Sequence, residues 1–243
     1  MTALLEVANV SRSFGPMHAL RDACLTVERN SITALIGPNG SGKTTMFNVI
    51  TGYLRADSGH IRFDGHDVTA ANPAILYRSG LSRTFQQARV FAQLTVAENL
   101  VVAGGFSWAQ LFGRRVGRQD RKRAGELLDE FRMSHVADLY ASELSYGQRK
   151  LLEFAAVLMS KPQLVMLDEP TAGVNPTIIE TMERHIRQLH AAGITFLIVE
   201  HDMNFVMRLC DPVVVLDQGQ EIFVGPPGAV QSNPAVLDAY LGA

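Results

Sequence analysis

The first part of the chain alternates hydrophobic and polar residues with the two-residue period of half-buried β-strands. This pattern predicts strands at Leu4–Val10, Leu20–Val27 and His60–Phe63. Turn residues at Asp57–Gly59 and Asp64–Gly65 bracket the third strand as a hairpin-like element. We therefore expect an antiparallel β portion at the N-terminal end.

Short apolar segments then alternate with longer amphipathic ones. Apolar strands are predicted at Ile32–Ile36, Leu164–Leu167 and Phe196–Val199, and helices at Lys43–Thr51 and Pro176–Ala192. Three further strands are predicted at Leu81–Phe85, Val213–Leu216 and Ile222–Val224. Because strands that alternate with helices form a parallel sheet covered on both faces, we expect an α/β core.

The stretch between Thr95 and Ser160 keeps the helical period without a strand pattern. Helices are predicted at Thr95–Ala103, Gln119–Arg132 and Tyr146–Ser160, and Lys161-Pro162 stops the last one. We interpret this stretch as a helical subdomain inserted into the core. The chain is then expected to form one domain, with a core at about 1–87 and 161–228, the helical subdomain at about 88–160 and a C-terminal extension at 229–243.

Composition and charge narrow the class of protein without changing this fold. The 243 residues are 47% hydrophobic and 19% charged, and the net charge of −2 lacks the basic excess typical of nucleic-acid binders. We therefore expect no nucleic-acid partner. Cys24 and Cys210 have no CxxC spacing, which fits a reduced, cytosolic setting. Apolar runs stay far below the ~20 residues of a membrane-spanning helix, so we expect any membrane contact to come through a partner.

The strongest chemical signal is a full match to the phosphate-loop pattern GxxxxGK[ST] between a predicted strand and a predicted helix. Its residues are Gly37, Pro38, Asn39, Gly40, Ser41, Gly42, Lys43, Thr44 and Thr45. Backbone N–H groups of such a loop wrap a phosphate, and the helix N-terminus adds positive potential. Lys43 is expected to hold the β- and γ-phosphates, and Thr44 to offer a hydroxyl to Mg²⁺. The alternative, a glycine-rich turn before an ordinary helix, is disfavoured by this context.

A second signal is the pair of carboxylates that ends the apolar strand Leu164–Leu167. Buried carboxylates are costly unless they meet a cation. Asp168 is therefore a candidate to serve Mg²⁺, directly or through water, and Glu169 to polarise the attacking water. An ordinary strand that runs into an acidic loop would look the same, but the phosphate loop in the same chain favours the functional interpretation.

The stretch Leu144-Ser145-Tyr146-Gly147-Gln148 narrows the family. Ser145 and Gln148 have the spacing of a capping box, which is compatible with a phosphate site at the same helix N-terminus. The stretch resembles the ABC ATPase signature Leu-Ser-Gly-Gly-Gln, with tyrosine in place of the first glycine. In that family the signature faces the nucleotide held by a second ATPase subunit, so the resemblance implies that Ser145, Gly147 and Gln148 contact ATP across a dimer.

The resemblance extends from about Leu4 to Val224 and assigns further roles. It implies that Phe14 stacks on adenine, with a core phenylalanine as the alternative. Gln86 matches the glutamine that contacts Mg²⁺ and the attacking water, with Gln87 as its rival. His201 matches the switch histidine near the γ-phosphate, although a lone histidine at a strand end usually has no such role. With Lys43 and Glu169, Gln86 and His201 complete the expected catalytic set.

Finer features are similar to the ATP-binding subunits of branched-chain amino-acid importers and their urea and amide relatives. These features are Leu81–Gln87, the tyrosine-bearing signature, Ala172–Pro176, Val199–Met203 and Asn233–Gly242. The resemblance implies permease subunits, a second ATPase subunit in a homo- or heterodimer, an external solute-binding protein and a location at the cytoplasmic face of the inner membrane. Asn175 replaces the usual aspartate of the inter-subunit loop and removes one charge there.

Two other classes of protein stay open as alternatives to a transporter subunit. A non-transport ABC ATPase would act on DNA or on the ribosome, but such proteins generally carry two nucleotide domains or a long coiled-coil insertion. A P-loop kinase would not need the signature.

A cluster of basic residues has two interpretations: a solvated helix face, or a contact with a permease or lipid headgroups. Its members are Arg114, Arg115, Arg118, Arg121, Lys122 and Arg123.

Overall fold

The computed structural model describes residues 2–84, 90–104 and 118–241. The N-terminal portion is an antiparallel sheet built from β1 (Ala3–Phe14), β2 (Met17–Glu28), β4 (Ser58–Phe63) and β5 (His66–Asp67). Its strand order is β2-β1-β4-β5. The predicted antiparallel portion is confirmed, and its first two strands extend several residues beyond the predicted bounds, to a tight hairpin at Phe14 and Met17.

The second sheet has six strands in the order β10-β9-β3-β8-β7-β6. Its members are β3 (Ile32–Ile36), β6 (Leu81–Arg83), β7 (Leu164–Asp168), β8 (Thr195–Val199), β9 (Val213–Asp217) and β10 (Gln220–Gly225). Neighbours from β9 to β6 pair in parallel, and β10 joins the edge as an antiparallel hairpin partner of β9. Strands β3, β7 and β8 are buried at every residue, which explains their mostly apolar sequences.

The described helices connect these strands and form the middle of the chain. They are α1 (Lys43–Ile50), α2 (Pro73–Arg78), α3 (Val96–Ala103), α4 (Arg118–Glu130), α5 (Tyr146–Val157), α6 (Pro176–Ala191), α7 (Met203–Leu209), α8 (Pro227–Val230) and α9 (Pro234–Leu241). Single 3-10 turns lie at Ser134–Val136, Ala141–Glu143 and Leu158–Ser160. Within the described ranges, no helix combines the length and the apolar composition that crossing a bilayer would require.

Two apolar clusters cover the two faces of the parallel sheet. One lies between that sheet, α1 and the antiparallel sheet, and includes Leu5, Phe47 and Leu197. The other packs the opposite face against the helical middle, and includes Leu127, Phe154 and Phe196. The fold is therefore the expected α/β class: a P-loop core with an N-terminal antiparallel β portion and an inserted helical subdomain.

Side-chain caps begin α5 and α6, the helices that follow the signature stretch and the loop at Asn175. Ser145 accepts a hydrogen bond from the Gln148 N–H group, and the Gln148 side chain accepts one from the Ser145 N–H group, so the predicted capping box is present. The Asn175 side chain caps α6 by accepting from the Ile178 N–H group, with Pro176 at the first helical position. Asparagine is as good a cap as aspartate. The exchange at position 175 therefore keeps the start of α6 while it removes a charge.

The sequence pattern missed the short helices. Helix α2 begins after the cap Asn72, and α7 begins after the cap Asp202, whose side chain accepts from two backbone N–H groups. Neither helix is long enough to show a helical period.

The basic cluster is described only in part, because Arg114 and Arg115 lie outside the described residues. In α4, Lys122 and Arg123 pair with Glu126 of the same helix at 3.8 and 3.6 Å, which favours a solvated helix face.

A buried histidine lies between the helical middle and the core. His185 of α6 is 2% exposed and stacks on the Phe131 ring with the centroids 4.2 Å apart. Among the described residues, neither ring nitrogen has a hydrogen-bond partner. Burial, assisted by the charges of Arg184 and Arg132, lowers the pKa of His185 from 6.5 to about 4. The imidazole is therefore neutral in the folded protein at physiological pH.

This depressed pKa predicts a pH-dependent stability. The unfolded chain takes up a proton at His185 below about pH 6.5, while the folded chain resists protonation until about pH 4. As the pH drops through this window, the contribution of His185 to the free energy of unfolding should therefore fall. We expect His185→Leu to become more stable relative to wild type as the pH drops from 6.5 to 4. Urea denaturation of both proteins measures the difference between their free energies of unfolding. The exposed residue His135, changed to leucine, should show no such shift.

Candidate functional site

The phosphate loop runs from the end of β3 into α1. Gly37 is buried and has φ +151°, and a Cβ at this position would overlap the Leu216 carbonyl oxygen and lie 2.7 Å from the Ser41 hydroxyl. The Gly219 N–H group donates to the Ser41 carbonyl oxygen at 2.9 Å. The loop is therefore wedged against β9 and the following turn, and its conformation depends on a residue without a side chain at position 37.

Lys43, the first residue of α1, curls back over this loop. Its ammonium group donates to the carbonyl oxygens of Gly37 at 2.7 Å and Pro38 at 2.8 Å. Burial lowers the pKa of Lys43, and the negative charge of Glu169 opposes that shift. The lysine therefore lies within electrostatic reach of a carboxylate that follows a different strand of the sheet. Asn39, Gly40 and Thr44 are exposed, and Pro38, Gly42 and Thr45 are half-buried.

Two carboxylates lie where β7 ends. Asp168, its last residue, is buried, and Glu169 is half-buried with φ +47°. The Glu169 N–H group donates to the Val199 carbonyl oxygen at the end of β8 at 2.9 Å. A left-handed backbone at a residue other than glycine is strained by about 1–3 kcal/mol and clusters at functional sites. Here it turns the chain out of the sheet directly after Asp168.

Asp168 is held by two residues of the neighbouring edge strand and its continuation. Its N–H group donates to the Thr84 hydroxyl at 3.2 Å, and its Oδ2 atom accepts from Arg83 Nη2 at 3.2 Å. Burial raises the pKa of Asp168, whereas the charge of Arg83 lowers it. Both side chains of this ion pair are less than a tenth exposed, at 8% for Arg83 and 7% for Asp168. The arginine therefore favours the ionised form of the carboxylate.

A third carboxylate joins the segments that follow β7 and β8. Glu200 is 1% exposed, and its Oε1 atom accepts from the Thr171 N–H group at 2.9 Å and the Thr171 hydroxyl at 2.7 Å. Its Oε2 atom accepts from the N–H groups of His201 at 3.0 Å and Asp202 at 3.2 Å. The four hydrogen bonds offset the desolvation of the charge. They also set the backbone position from which the His201 side chain projects.

The signature stretch packs against the segment that follows the carboxylates. A Cβ at Gly147 would lie 2.9 Å from Ile178 Cγ1, so α5 and α6 approach closely there. The Tyr146 hydroxyl donates to the Ala172 carbonyl oxygen at 3.3 Å, and a side chain at Gly173 would meet the Tyr146 ring. The tyrosine that departs from the family signature therefore contacts the loop that carries the other departure, Asn175.

The remaining predicted residues are found in different surroundings. Phe14 is 40% exposed at the hairpin between β1 and β2, with the Arg12 guanidinium 5.0 Å from its ring centroid, which excludes the alternative of a core phenylalanine. His201 has a side chain that is 66% exposed, with Nδ1 at 3.8 Å from Glu200 Oε2. Gln86 and its rival Gln87 lie outside the described residues.

Sequence reasoning missed two charged residues of this site. Arg83 lies in the quoted stretch Leu81–Gln87 but had no role, although a charged residue in a buried strand is unusual. Glu200 follows the apolar strand β8 as Asp168 and Glu169 follow the apolar part of β7, and that parallel was the available signal.

The arrangement defines a class of protein. A phosphate loop with a lysine over it, a carboxylate pair at the end of a neighbouring parallel strand and a capped signature helix are the parts of a P-loop nucleotide hydrolase. The ABC transporter family profile matches residues 20–172, and a profile described as branched-chain amino acid ATP-binding cassette transporter matches residues 220–243. The chain belongs to the ABC transporter family and is an ATPase subunit of this type, which confirms the resemblance inferred from its motifs.

Similar proteins cover the chain almost completely. The high-affinity branched-chain amino acid transport ATP-binding protein BraF of Pseudomonas aeruginosa is 37% identical over 250 residues, which cover 98% of both chains. The probable branched-chain amino acid transport ATP-binding protein LivG of Methanocaldococcus jannaschii is 38% identical and covers 98% of this chain and 97% of its own. A crystal structure of a nucleotide-free ATP-binding cassette from an ABC transporter superposes with a TM-score of 0.90 at 36% identity, over 100% of both chains.

The tight packing at Gly37 predicts a position-specific effect of added methyl groups. Gly37→Ala combines an unfavourable φ of +151° with overlap against Leu216, whereas Gly40→Ala at φ +81° meets nothing within 4 Å. The strain alone costs roughly 1–2 kcal/mol, which corresponds to a fall in Tm of about 2–8 °C for a domain of this size. Without nucleotide, we expect the Tm of Gly40→Ala to fall by an amount within that range. The Tm of Gly37→Ala should fall by about twice as much, because overpacking adds to strain. Equal Tm values in thermal melts would contradict the packing argument.

Proposed function

We propose that this chain hydrolyses ATP as one half of a two-subunit sandwich and powers an ABC importer for branched-chain or other hydrophobic amino acids. The observation that carries the catalytic part is the parallel pairing of β3, β8 and β7, which ends the strands before the Lys43 loop and before Glu169 at one edge of the sheet. It brings a phosphate-binding cation and a candidate base to the same edge of the sheet. A cation on the phosphates and a base that orients water are the groups that hydrolysis beside a bound γ-phosphate requires.

Each residue then has one task. The loop Gly37–Thr45 binds the phosphates through its backbone N–H groups, and the Lys43 ammonium exchanges its loop carbonyl partners for phosphate oxygens. Glu169 orients and polarises the attacking water, and His201 and Gln86 hold the γ-phosphate and that water. Phe14 stacks on the adenine ring, for which its exposure leaves it available.

Mg²⁺ fits the oxygen donors at this edge. Thr44 offers an exposed hydroxyl at the start of α1, and Asp168 offers a carboxylate oxygen. Mg²⁺ prefers hard oxygen ligands and is usually held by one or two protein groups together with substrate phosphates, so this pair is sufficient. When bound, the ion would neutralise charge that develops on the phosphates. Gln86 is the third residue that we propose to contact it.

The second half of the sandwich is another ATPase subunit of the same type. Ser145, Gly147 and Gln148 would contact the nucleotide held by that subunit, because the capped N-terminus of α5 offers N–H groups and positive potential to a phosphate. The contact of Tyr146 with the loop at Ala172 supports a role of these residues in relaying the state of one site to the other. This partner is either a second copy of the chain or a related ATPase subunit.

The transported solute is proposed from the similar proteins. The profile over residues 220–243 and the printed names of BraF and LivG both refer to branched-chain amino acids. The partners would be two membrane permease subunits and, indirectly, a solute-binding protein, with this chain at the cytoplasmic face of the inner membrane. Import of urea or short amides is the competing assignment, because the sequence motifs resemble both groups.

Removal of the Glu169 charge should separate binding from hydrolysis. Glu169→Gln keeps the side-chain volume and should leave ATP affinity near the wild-type value, while the hydrolysis rate falls by about 10²–10⁴-fold because the general base is lost. Isothermal titration and a phosphate-release assay measure the two quantities. The matched change Glu130→Gln, at an exposed position near the end of α4, should affect neither. Near-normal turnover of Glu169→Gln would remove Glu169 from this role.

The solute assignment is tested with the assembled transporter in liposomes. We expect its ATPase rate to rise when the solute-binding protein is loaded with leucine, isoleucine or valine, and not when urea or a short amide is added instead. Stimulation by urea alone would move the assignment to the amide group. Copurification with ribosomes or DNA rather than with membrane proteins would overturn the transport function altogether.

A further inference from the structure

Arg83 is a charged side chain with several partners near the carboxylates, and none of the tasks above uses it. It ends the edge strand β6, directly before the segment that leads toward Gln86. Its Nη1 atom donates to Asn48 Oδ1 at 2.8 Å and to Thr51 Oγ1 at 2.9 Å, and its Nη2 atom donates to Asp168 Oδ2 at 3.2 Å. The guanidinium thus joins the phosphate-loop helix to the end of β7.

The helix side of this bridge carries a further residue of the site. Thr44, Asn48 and Thr51 are spaced four and three residues apart along α1 and its C-terminal cap, so they lie on one face of the helix. Arg83 binds two of the three. Arg83 therefore holds the same face of α1 that carries the Thr44 hydroxyl, which we propose as a ligand of Mg²⁺.

Further contacts fix the position of the Arg83 guanidinium. Its Nε atom donates to the Thr84 carbonyl oxygen at 3.1 Å, and its carbon lies 5.7 Å from the Phe47 ring centroid and 5.4 Å from that of Tyr53. A planar group with several donors in fixed directions can hold three partners on two elements at once, whereas a lysine ammonium is a single point.

Stability alone does not explain such a residue. A buried ion pair often contributes no more than well-packed apolar side chains of the same volume, because desolvation offsets the attraction. Its geometry, in contrast, cannot be reproduced by apolar groups. One oxygen of Asp168 is taken by Arg83 Nη2, and Oδ1 is the oxygen outside this ion pair. Residues that orient a metal ligand in this way commonly change metal affinity by 10- to 100-fold when they are altered.

We propose that Arg83 is a positioning residue that fixes the Asp168 carboxylate relative to the Thr44 face of α1 and so sets the metal affinity of the nucleotide-loaded site. This inference rests on the proposed function, in which Asp168 and Thr44 serve Mg²⁺. Arg83 does not contact nucleotide or metal itself. Its effect should therefore appear in the binding of the ion and not in the binding of metal-free ATP.

The test uses the full chain with a non-hydrolysable ATP analogue, protein in excess over nucleotide, and Mn²⁺ as the probe. Electron paramagnetic resonance gives the Mn²⁺ affinity, and calorimetry in EDTA gives the metal-free nucleotide affinity. We expect Arg83→Lys to weaken Mn²⁺ binding by about 10- to 100-fold and to leave nucleotide affinity in EDTA unchanged. Arg208→Lys, which alters an exposed arginine–carboxylate pair with Glu183, should change neither.

A second variant separates positioning from folding. Asn48→Ala removes one anchor of Arg83 and leaves both members of the ion pair, so it should weaken Mn²⁺ binding in the same direction but less. If both variants lower only the Tm and leave Mn²⁺ affinity at the wild-type value, the role of Arg83 is structural and the inference is wrong.

Asp168→Asn distinguishes failure of the inference from failure of the proposed function. Loss of Mn²⁺ binding in Asp168→Asn, with normal binding in Arg83→Lys, would overturn the inference alone. Unchanged Mn²⁺ binding in Asp168→Asn would overturn the metal role of Asp168 and the inference with it.

Discussion

The parallel pairing of β3, β8 and β7 is the constraint on which the rest of the structure depends. Parallel strands end at the same edge of the sheet, and these three end in the phosphate loop, in Glu200 and His201, and in Asp168 and Glu169. Each strand is buried at every residue and mostly apolar because helices and the second sheet cover both faces. The charged residues are therefore confined to the point where each strand leaves the core, and that point is shared.

Charges at this edge are stabilised by partners from other elements. Glu200 binds four donors from the segments after β7 and β8, and Asp168 binds Arg83 from the adjacent strand. Without these partners, burial of a carboxylate would be costly and would favour its protonated form. The same contacts that offset the desolvation of the carboxylates also fix their positions. Stability and preorganisation of the site thus depend on the same hydrogen bonds.

The signature region shows how two departures from a family pattern can belong to one local structure. Tyr146 reaches the loop at Ala172 and Gly173, and Asn175 at the end of that loop caps the helix whose Ile178 packs on Gly147. The signature helix and the loop at Ala172–Asn175 are therefore joined within this chain. A hydroxyl that holds the loop and a neutral cap both favour a defined loop position without an additional charge.

The amino-acid sequence by itself determined the fold class, the strands of the core, the phosphate loop and the carboxylate pair, because these depend on local periodicity and on residues that are adjacent in the chain. The capping box at Ser145 and Gln148 was predictable for the same reason. Helices α2 and α7 were not, because six or seven residues are too few to show a period. Only the tertiary structure decided that Phe14 is exposed, that Glu200 is a bridge and that Arg83 binds Asp168, Asn48 and Thr51, because these contacts join residues that are far apart in the chain and are set by strand order and packing.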